Sequence, residues 1–383
     1  MIFDELNFEQ RIIVDNVKKL AKDRIAPIAA EMDREGVFRW DIARLFAEMG
    51  LLQILLPPAY GGLDEDKTLM YCLCVEEIAK ACASSALLLI IQAVGIFPII
   101  SAGNQSQKDR FFPRLAKGDE LVGYLVTEPY AGSDVAGIQA KAQKENGDYI
   151  LNGHKCFSTN GGVASLYTVL ARTGGKKFTF FVVERDQDGV SVGKEEDKLG
   201  FRASNTTEVI LEDVKVSRDN RLGKEGEGFR IAMEDFYMSR PSIGALALGI
   251  AETALDLSFK YACERKTFGK PIVRHQAISF MLADAAIQIE AGRGLMIEAA
   301  KEHDRNKSNV KLASMAKCFC SDIAMKITTD AVQIFGGYGY MKDYPLERLF
   351  RDAKLTQIFE GTNQIQRLVI AREMLKEKRS GAM

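Results

Sequence analysis

The stretch Lys354-Leu355-Thr356-Gln357-Ile358-Phe359-Glu360-Gly361-Thr362-Asn363-Gln364-Ile365-Gln366 reads as the end of one helix, a glycine corner and the start of another. An apolar, helix-like run from Leu346 to Ile358 leads in. A second helix leaves at Thr362 or Asn363, with apolar positions at Ile365, Leu368, Val369, Ala371 and Leu375. Thr and Asn are favoured N-caps because their side-chain oxygens accept orphan backbone N–H groups, and Gly361 lets the chain turn or admit a ligand closely. Glu360 at this corner has two readings. A carboxylate fixed in a cleft by rigid flanks suits a general base. A carboxylate near a helix N-terminus is also favoured by the helix dipole with no further role.

Working outward, the region before this corner is helical. One long helix runs from about Gly228 to Cys263 with Pro241 as an expected kink, and others span roughly His275–Asp304, Val310–Phe335 and Pro345–Gln357. The last begins after Glu360 and runs to about Lys378. Antiparallel helices of this length suggest a four-helix bundle. Between Leu121 and about Glu225 the runs become short, alternating and β-branched. Strands are expected at Leu121–Thr127, Ile138–Gln143, Tyr149–Phe157, Leu166–Arg172, Phe178–Glu184, Val190–Lys194 and Glu208–Val216, with turns at Asn146-Gly147, Asn152-Gly153, Gly174-Gly175 and Asp188-Gly189. This is a small antiparallel barrel or sandwich. The first 120 or so residues look helical. Ile12, Ile13, Val17, Leu20, Ile25 and Ile28 fit one face, later helices are expected at Asp41–Gly50, Lys67–Ala81, Ser85–Ile100 and Ser106–Lys117, and Pro113 should shorten or kink the last. The fold class is therefore α+β, in three parts: an all-α N-terminal domain (1–120), a middle β domain (121–227) and a C-terminal helical bundle (228–383).

The totals exclude several classes. With 383 residues, 47% hydrophobic, 27% charged and a net charge of −1, nothing points to nucleic acid or an anionic membrane as a main partner. The seven cysteines form no disulfide framework and read as reduced thiols of a reducing, cytoplasmic setting. Three histidines and no Cys-x-x-Cys make a metal site improbable. The N-terminal Met-Ile-Phe-Asp-Glu-Leu lacks a basic region followed by an apolar stretch. The run Ala86–Ile100 is short for a bilayer and carries Gln92, Gly95 and Pro98, so it is expected to be a core helix and no membrane span is expected.

Gly-x-Ser-x-Gly and the P-loop pattern are absent, and Gly223, Gly226 and Gly228 do not follow dinucleotide spacing. Four other stretches each have two readings. Thr127-Glu128-Pro129-Tyr130-Ala131-Gly132-Ser133-Asp134 is a tight turn, or a wall of hydroxyls and backbone N–H groups for a polar ligand. At the end of another strand, in Lys155-Cys156-Phe157-Ser158-Thr159-Asn160-Gly161-Gly162, Phe157 is core or a cover for a planar ring. Glu264-Arg265-Lys266-Thr267-Phe268-Gly269-Lys270-Pro271 is a solvated hairpin or a diphosphate site. Gln333-Ile334-Phe335-Gly336-Gly337-Tyr338-Gly339 is a helix C-cap or a bare surface for a cofactor.

Taken in order, Thr-Glu-Pro-x-Ala-Gly-Ser-Asp (127–134), Glu-Arg-Lys-Thr-Phe-Gly-Lys (264–270), Gln-Ile-Phe-Gly-Gly-Tyr-Gly (333–339) and Phe-Glu-Gly-Thr-Asn-Gln-Ile-Gln (359–366) resemble the acyl-CoA dehydrogenases, short- and medium-chain-like, over essentially the whole chain. The resemblance implies FAD between the β domain and the bundle, an acyl-CoA thioester against the flavin, a homotetramer built as a dimer of dimers, and an electron-transferring flavoprotein as oxidant. Glu360 takes the place of the family's base. Tyr124, Val126, Thr127, Gly132 and Ser133 would hold the flavin, with Ser133 also near the CoA. Phe157, Ser158 and Thr159 would border the isoalloxazine, Thr159 near N5. Arg265, Thr267, Phe268, Gln276, Gln333, Phe335, Gly336 and Gly337 would bind the FAD of the neighbouring subunit, and Thr362 and Gln364 lie on the cofactor side. Tyr237, Ser239, Arg240, Gly361 and Arg372 fall at substrate positions. Phe157 stands where a Trp is common, Ser158 where an aliphatic is usual, and Phe359 for a frequent Tyr. At Ser239, where some relatives carry the base, there is no carboxylate.

The reaction implied is α,β-dehydrogenation. Glu360 removes the α-proton as a hydride leaves the β-carbon for flavin N5, with the Glu360 backbone N–H and a ribityl hydroxyl polarising the thioester carbonyl. Burial should raise the pKa of Glu360 toward working pH. An enoyl-CoA reductase using the same site in reverse, and a catalytically silent CoA-ester-binding scaffold, are the alternatives. Leu89, Ile90, Ile91, Gln92, Val94 and Gly95 match a pocket-lining helix, and their apolar character leans toward short or medium straight acyl chains, with branched, alicyclic or aryl groups open.

Overall fold

The structure is a computed structural model that describes residues 6–305 and 309–380. The reading of Met1 to Glu5 as free of a leader lies outside the described residues.

The first helix, α1 (Phe8–Leu20), starts on a capping box: Asn7 Oδ1 accepts from the Gln10 N–H at 2.9 Å and Gln10 Oε1 from the Asn7 N–H at 3.0 Å. The helix does not continue straight. A π turn at Ala21–Ile25 and a 3₁₀ turn at Ala26–Ile28 around Pro27 precede α2 (Ala29–Glu35). The wider turn adds a residue and rotates the inward face. The structure buries Val14, Val17, Leu20 and Ile25 but leaves Ile12, expected on the inner face, 43% exposed, because helical spacing points it away from the stripe of Val14 and Val17. After α3 (Trp40–Glu48) come α4 (Lys67–Ala81), α5 (Ala83–Ala102) and α6 (Gln105–Leu115). Pro113 sits in the last turn of α6 without ending it. Among the described residues, two helices are long and apolar enough to cross a membrane, α5 and α7 (Gly228–Glu264), but 83% of the apolar window of α5 and 67% of that of α7 are buried inside the protein.

The middle region holds β1 (Val122–Leu125), β2 (Lys141–Glu145), β3 (Asp148–Thr159), β4 (Leu166–Gly174), β5 (Lys177–Glu184), β6 (Val190–Glu195), β7 (Thr206–Val216) and β8 (Arg221–Leu222). The sheet runs β6-β7-β3-β2-β4-β5-β8, with β1 beside β4. Most pairings are antiparallel. β1 lies parallel to β4, and β2 meets β4 in a parallel pair at Lys141 and Arg172. The two-residue β8 has no alternation for a sequence reading to find.

α7 is 37 residues long and runs through Pro241 as one helix. It is followed by the two-residue strands β9 (Lys266–Thr267) and β10 (Lys270–Pro271), then α8 (Gln276–Asp304), α9 (Val310–Phe335), α10 (Leu346–Thr356) and α11 (Asn363–Arg379). The N-terminal and C-terminal helices share one core: Val75 and Ile78 of α4 and Leu89 and Ile90 of α5 pack with Leu246, Ile250 and Ile327. Gly249 permits the α7–α4 crossing, because a Cβ there would stand 2.5 Å from the Glu76 carbonyl oxygen. Gly95 does the same for α5 on β1, where a Cβ would lie 2.6 Å from Val122. A second cluster joins Ile96 and Ile99 to Val122, Phe180 and Ile231, and so locks the β module onto α5 and the start of α7. The corner at Glu360 lies where these parts converge.

Candidate active site

The corner is built from two successive left-handed residues, Glu360 with φ +53° and Gly361 with φ +87°. For a non-glycine residue this costs on the order of 1–2 kcal/mol, so the surroundings must hold it. They do so through the carbonyls. Gln366 Nε2 donates to the Glu360 oxygen at 3.1 Å and to the Gly361 oxygen at 2.9 Å. Lys317 Nζ, fully buried on α9, donates to the Gly361 oxygen at 2.8 Å and to Asn363 Oδ1 at 2.8 Å. Asn363 Nδ2 donates onward to Ser321 Oγ at 2.8 Å and Asp322 Oδ1 at 2.7 Å. Thr362 is the N-cap of α11, its hydroxyl accepting from the Ile365 N–H at 3.3 Å, while Asn363 belongs to the buried network.

Ser239 Oγ on α7 donates to Glu360 Oε2 at 2.8 Å. Burial raises the pKa of Glu360. The Ser239 hydrogen bond and the charges of Arg240 and Lys317 oppose that rise without cancelling it. A base that must take a proton near neutral pH needs a shift in this direction. Lys317 is itself pushed down by burial, to about 7. Arg240 is buried, donates from Nη1 to Ser314 Oγ at 3.0 Å and lies 5.2 Å from the Tyr237 ring centre. Arg372 is exposed and pairs with Glu373 at 3.3 Å, yet is near enough for its charge to oppose that of Arg240.

On the β side, Tyr124 ends up against Phe180, and Val126 and Thr127 follow where β1 stops. The backbone here is clamped by Lys155, whose buried Nζ donates to the Val126 oxygen at 3.1 Å, Glu128 Oε1 at 2.8 Å and the Leu170 oxygen at 2.9 Å. Glu128 also accepts from the Ala140 N–H at 2.9 Å. Gly132 and Ser133 stand exposed beyond this clamp. A register shift between Lys155 and Ser158 turns Phe157 outward, at φ +52° and 68% exposed. Bulges re-aim a side chain in this way. Ser158 Oγ and Thr207 Oγ1, paired across β3 and β7, are both buried without a partner in the chain. Thr159, at the end of β3, is half-buried.

A cavity of about 550 Å³ gathers Arg265, Thr267, Phe268, Phe335, Gly336 and Gly337. Phe268 is 95% exposed at φ +49°. Gly336 needs its positive φ of +61°, whereas a Cβ on Gly337 would touch nothing within 4 Å, so the protein's own packing does not demand that bare surface. Phe335 is mainly a packing residue here, buried and stacked 4.0 Å from Tyr261. Gln276 and Gln333 are exposed and do not line this cavity, and Gln364 is exposed on α11. The partnerless hydroxyls of Ser158 and Thr207, the outward Phe157 and the bare Gly337 fit a large cofactor with hydrogen-bonding edges and a diphosphate.

The sequence reading missed Lys317, Asn363, Gln366 and Thr207. Lys317 falls at helical spacing with the buried Ala313, Ala316 and Cys320, a signal that a lone charge on an apolar face could have supplied.

Comparison with known proteins gives a consistent picture. The acyl-CoA dehydrogenase N-terminal domain profile matches residues 7–119, the middle domain profile 123–214 and the C-terminal domain profile 226–375. Cyclohexane-1-carbonyl-CoA dehydrogenase of Geobacter metallireducens is 54% identical over 372 residues, 96% of this chain and 98% of that protein. Among solved structures, butyryl-CoA dehydrogenase of Megasphaera elsdenii superposes with a TM-score of 0.93 at 39% identity, covering 97% of this chain and 99% of that one. A chain from work on the electron transferring flavoprotein of Acidaminococcus fermentans superposes with a TM-score of 0.93 at 42% identity, covering 97% and 98%.

Proposed function

The chain belongs to the acyl-CoA dehydrogenase family, and from that premise we propose that Glu360 is the base that takes the α-proton of its acyl-CoA substrate. It is an FAD-dependent oxidoreductase acting on a CH–CH bond of an acyl-CoA. The observation that carries the assignment is the Glu360 carboxyl itself, held on a left-handed corner, bonded by Ser239 and shifted upward by burial.

When bound, FAD supplies the acceptor for the hydride that leaves the β-carbon. The chain does the rest. Gln366 and Lys317 fix the corner so that the carboxyl does not swing away. Ser239 keeps one oxygen engaged and leaves Oε1 free for the proton. Apolar walls exclude water and keep Glu360 basic enough to accept that proton. Ser158, Thr207, Thr127 and Thr159 offer hydroxyls to the ring portion of the cofactor. Arg265, Thr267 and Gly337 offer a diphosphate cradle, and Arg240 and Arg372 bring positive charge toward the CoA.

Ser239 and Arg265 bracket one helix 26 residues apart, about 39 Å at 1.5 Å per residue. One dinucleotide does not span that distance, which supports an FAD shared between two subunits. Exposed Phe259, Phe280, Ile287, Leu368 and Leu375 on the bundle support a homotetramer. The electron acceptor is taken to be an electron-transferring flavoprotein. Free cysteines, with none of those described paired, support a reducing, cytoplasmic setting.

The substrate is taken to be a compact alicyclic acyl-CoA of the cyclohexane-1-carbonyl type. The high identity to the Geobacter enzyme moves the proposal away from the straight chain toward which the apolar α5 lining leaned. Anaerobic mixing of the purified protein with cyclohexane-1-carbonyl-CoA and with butyryl-CoA should bleach the oxidised flavin band, faster with the former. A colourless protein that takes up no FAD would end this reading.

A further inference from the structure

Between β6 and β7 the chain runs from 196 to 205 without strand or helix, and this link touches both halves of the site. On the bundle side Phe201 is fully buried, its ring centre 6.1 Å from that of Phe359, the residue before Glu360. On the sheet side Asn205 holds the turn that follows β3. Its carbonyl accepts from the Asn160 N–H at 2.9 Å and its Oδ1 from the Gly162 N–H at 2.7 Å. Thr206 and Thr207 then pair with Thr159 and Ser158, whose hydroxyls lie on the cofactor side.

One buried carboxyl pins this link. Asp352 of α10 accepts from the Phe201 N–H at 2.6 Å. Gly200 makes the approach possible, because a Cβ there would stand 2.7 Å from that same carboxyl oxygen and from the Arg351 carbonyl. Phe201 has a φ of +50°, which a bulky residue keeps only where its surroundings impose it. The Ser204 N–H returns to the Phe201 oxygen at 2.9 Å, so the place of Asn205 follows from that of Phe201. Burial pushes the Asp352 carboxyl up to about 7, against the pull of the Phe201 N–H. A buried carboxyl is costly, and an apolar residue would avoid that cost. What it supplies here is an acceptor for a buried backbone N–H that has no sheet partner.

We propose that Asp352 is a positioning residue: by holding the Phe201 N–H it makes the 196–205 link a strap that sets the Glu360 corner at a fixed spacing from the cofactor end of β3. This rests on the acyl-CoA dehydrogenase reading and deepens it. In that reaction the proton and the hydride leave adjacent carbons of one substrate. The groups that receive them are carried by different domains, so their spacing must be imposed by something that touches both. A misplacement of about 1 Å can cost on the order of 10²-fold in rate.

The test uses the FAD-loaded protein and its Asp352→Leu and Asp352→Asn variants. Anaerobic flavin reduction by saturating cyclohexane-1-carbonyl-CoA should fall on the order of tenfold to 10²-fold in Asp352→Leu, with KM little changed. Asp352→Asn keeps an oxygen for the Phe201 N–H and should restore most of the rate. Hydrogen exchange should quicken in Asp352→Leu over peptides spanning 158–163 and 198–206, and not across the rest of the chain. If Asp352→Leu does not fold, Phe201→Leu, which keeps the backbone bond but loses the ring contact with Phe359, must lower the rate without raising KM. Wild-type reduction in the variant that folds, an equal loss in Asp352→Leu and Asp352→Asn, or a loss confined to KM overturns the proposal. A wild type whose flavin no CoA ester bleaches overturns the dehydrogenase reading instead, and the exchange pattern then still decides whether Asp352 holds the strap.

Discussion

Ser239 and Glu360, 121 residues apart in sequence, are joined by a hydrogen bond of 2.8 Å from the serine hydroxyl to Oε2. The bond holds a side chain of the long helix against the corner between the last two helices. It also favours the ionised carboxylate, so it works against the upward push of burial.

Ser239→Ala removes that support, so the Glu360 pKa should rise further. The group must be ionised to act, and the rate falls as pH drops through its pKa. The acid limb of flavin reduction should therefore move to higher pH, with rates roughly tenfold lower on the acid side and little change at high pH. Stopped-flow reduction across pH measures this. An acid limb that stays put would mean that the hydroxyl does not act on Glu360.

Glu360→Gln should keep FAD and CoA-ester binding and lose turnover by at least about 10²-fold. It should also be the more stable protein at neutral pH. A carboxyl whose folded pKa is raised holds more protons in the folded than in the unfolded state over the interval between the two values, so stability declines as pH rises through that interval. Gln escapes the decline. Melting curves at several pH values, alongside single-turnover assays, test both halves.

Lys317→Met should lower kcat more than it changes KM, because the corner loses a donor to the Gly361 oxygen rather than a substrate contact. Losing two charge-assisted hydrogen bonds, to that oxygen and to Asn363 Oδ1, should cost about 1–3 kcal/mol, although Gln366 and Ser321 still donate to the same two acceptors. The lysine is pushed down to about 7, so between there and the ordinary lysine range the unfolded state binds the extra proton and stability rises with pH. The variant should lose that slope. Equal kcat in variant and wild type would reduce Lys317 to packing.

Lys155→Met breaks a buried pair and frees the strand end that carries Val126 and Thr127. A loss of about 3–5 kcal/mol is expected, because Glu128 is left buried without its cation. Retention of FAD through gel filtration, together with the thermal midpoint, gives the readout. A variant as stable as wild type would show that the clamp is dispensable.

The corner was legible in the sequence because its residues have local demands. Glycine at a positive φ and threonine at a cap announce themselves whatever surrounds them, as most strands did through alternation and paired turn residues, but the turn expected at Asn152-Gly153 lies inside β3, where a register shift and not a reversal uses the pair. What escaped notice depends on contacts between distant segments. Lys317 and Asp235 look like ordinary helix charges until packing buries them. The outward turn of Phe157 comes from a bulge that period-2 reading passes over. Arg265, Thr267 and Gly337 do share a cavity, but Gln276 and Gln333, matched by resemblance, stand outside it within one chain.

The helix sets Ser239 and Arg265 about 39 Å apart, which bears on how subunits would share a cofactor. If each FAD is cradled by one chain and worked on by the other, a defect at Glu360 and a defect at Arg265 injure different sites. Two inactive variants, Glu360→Gln and Arg265→Ala, would then rescue each other when co-assembled, since every mixed pair contains one sound centre drawn half from each parent. A cell carrying both lesions would fare better than one carrying either lesion alone.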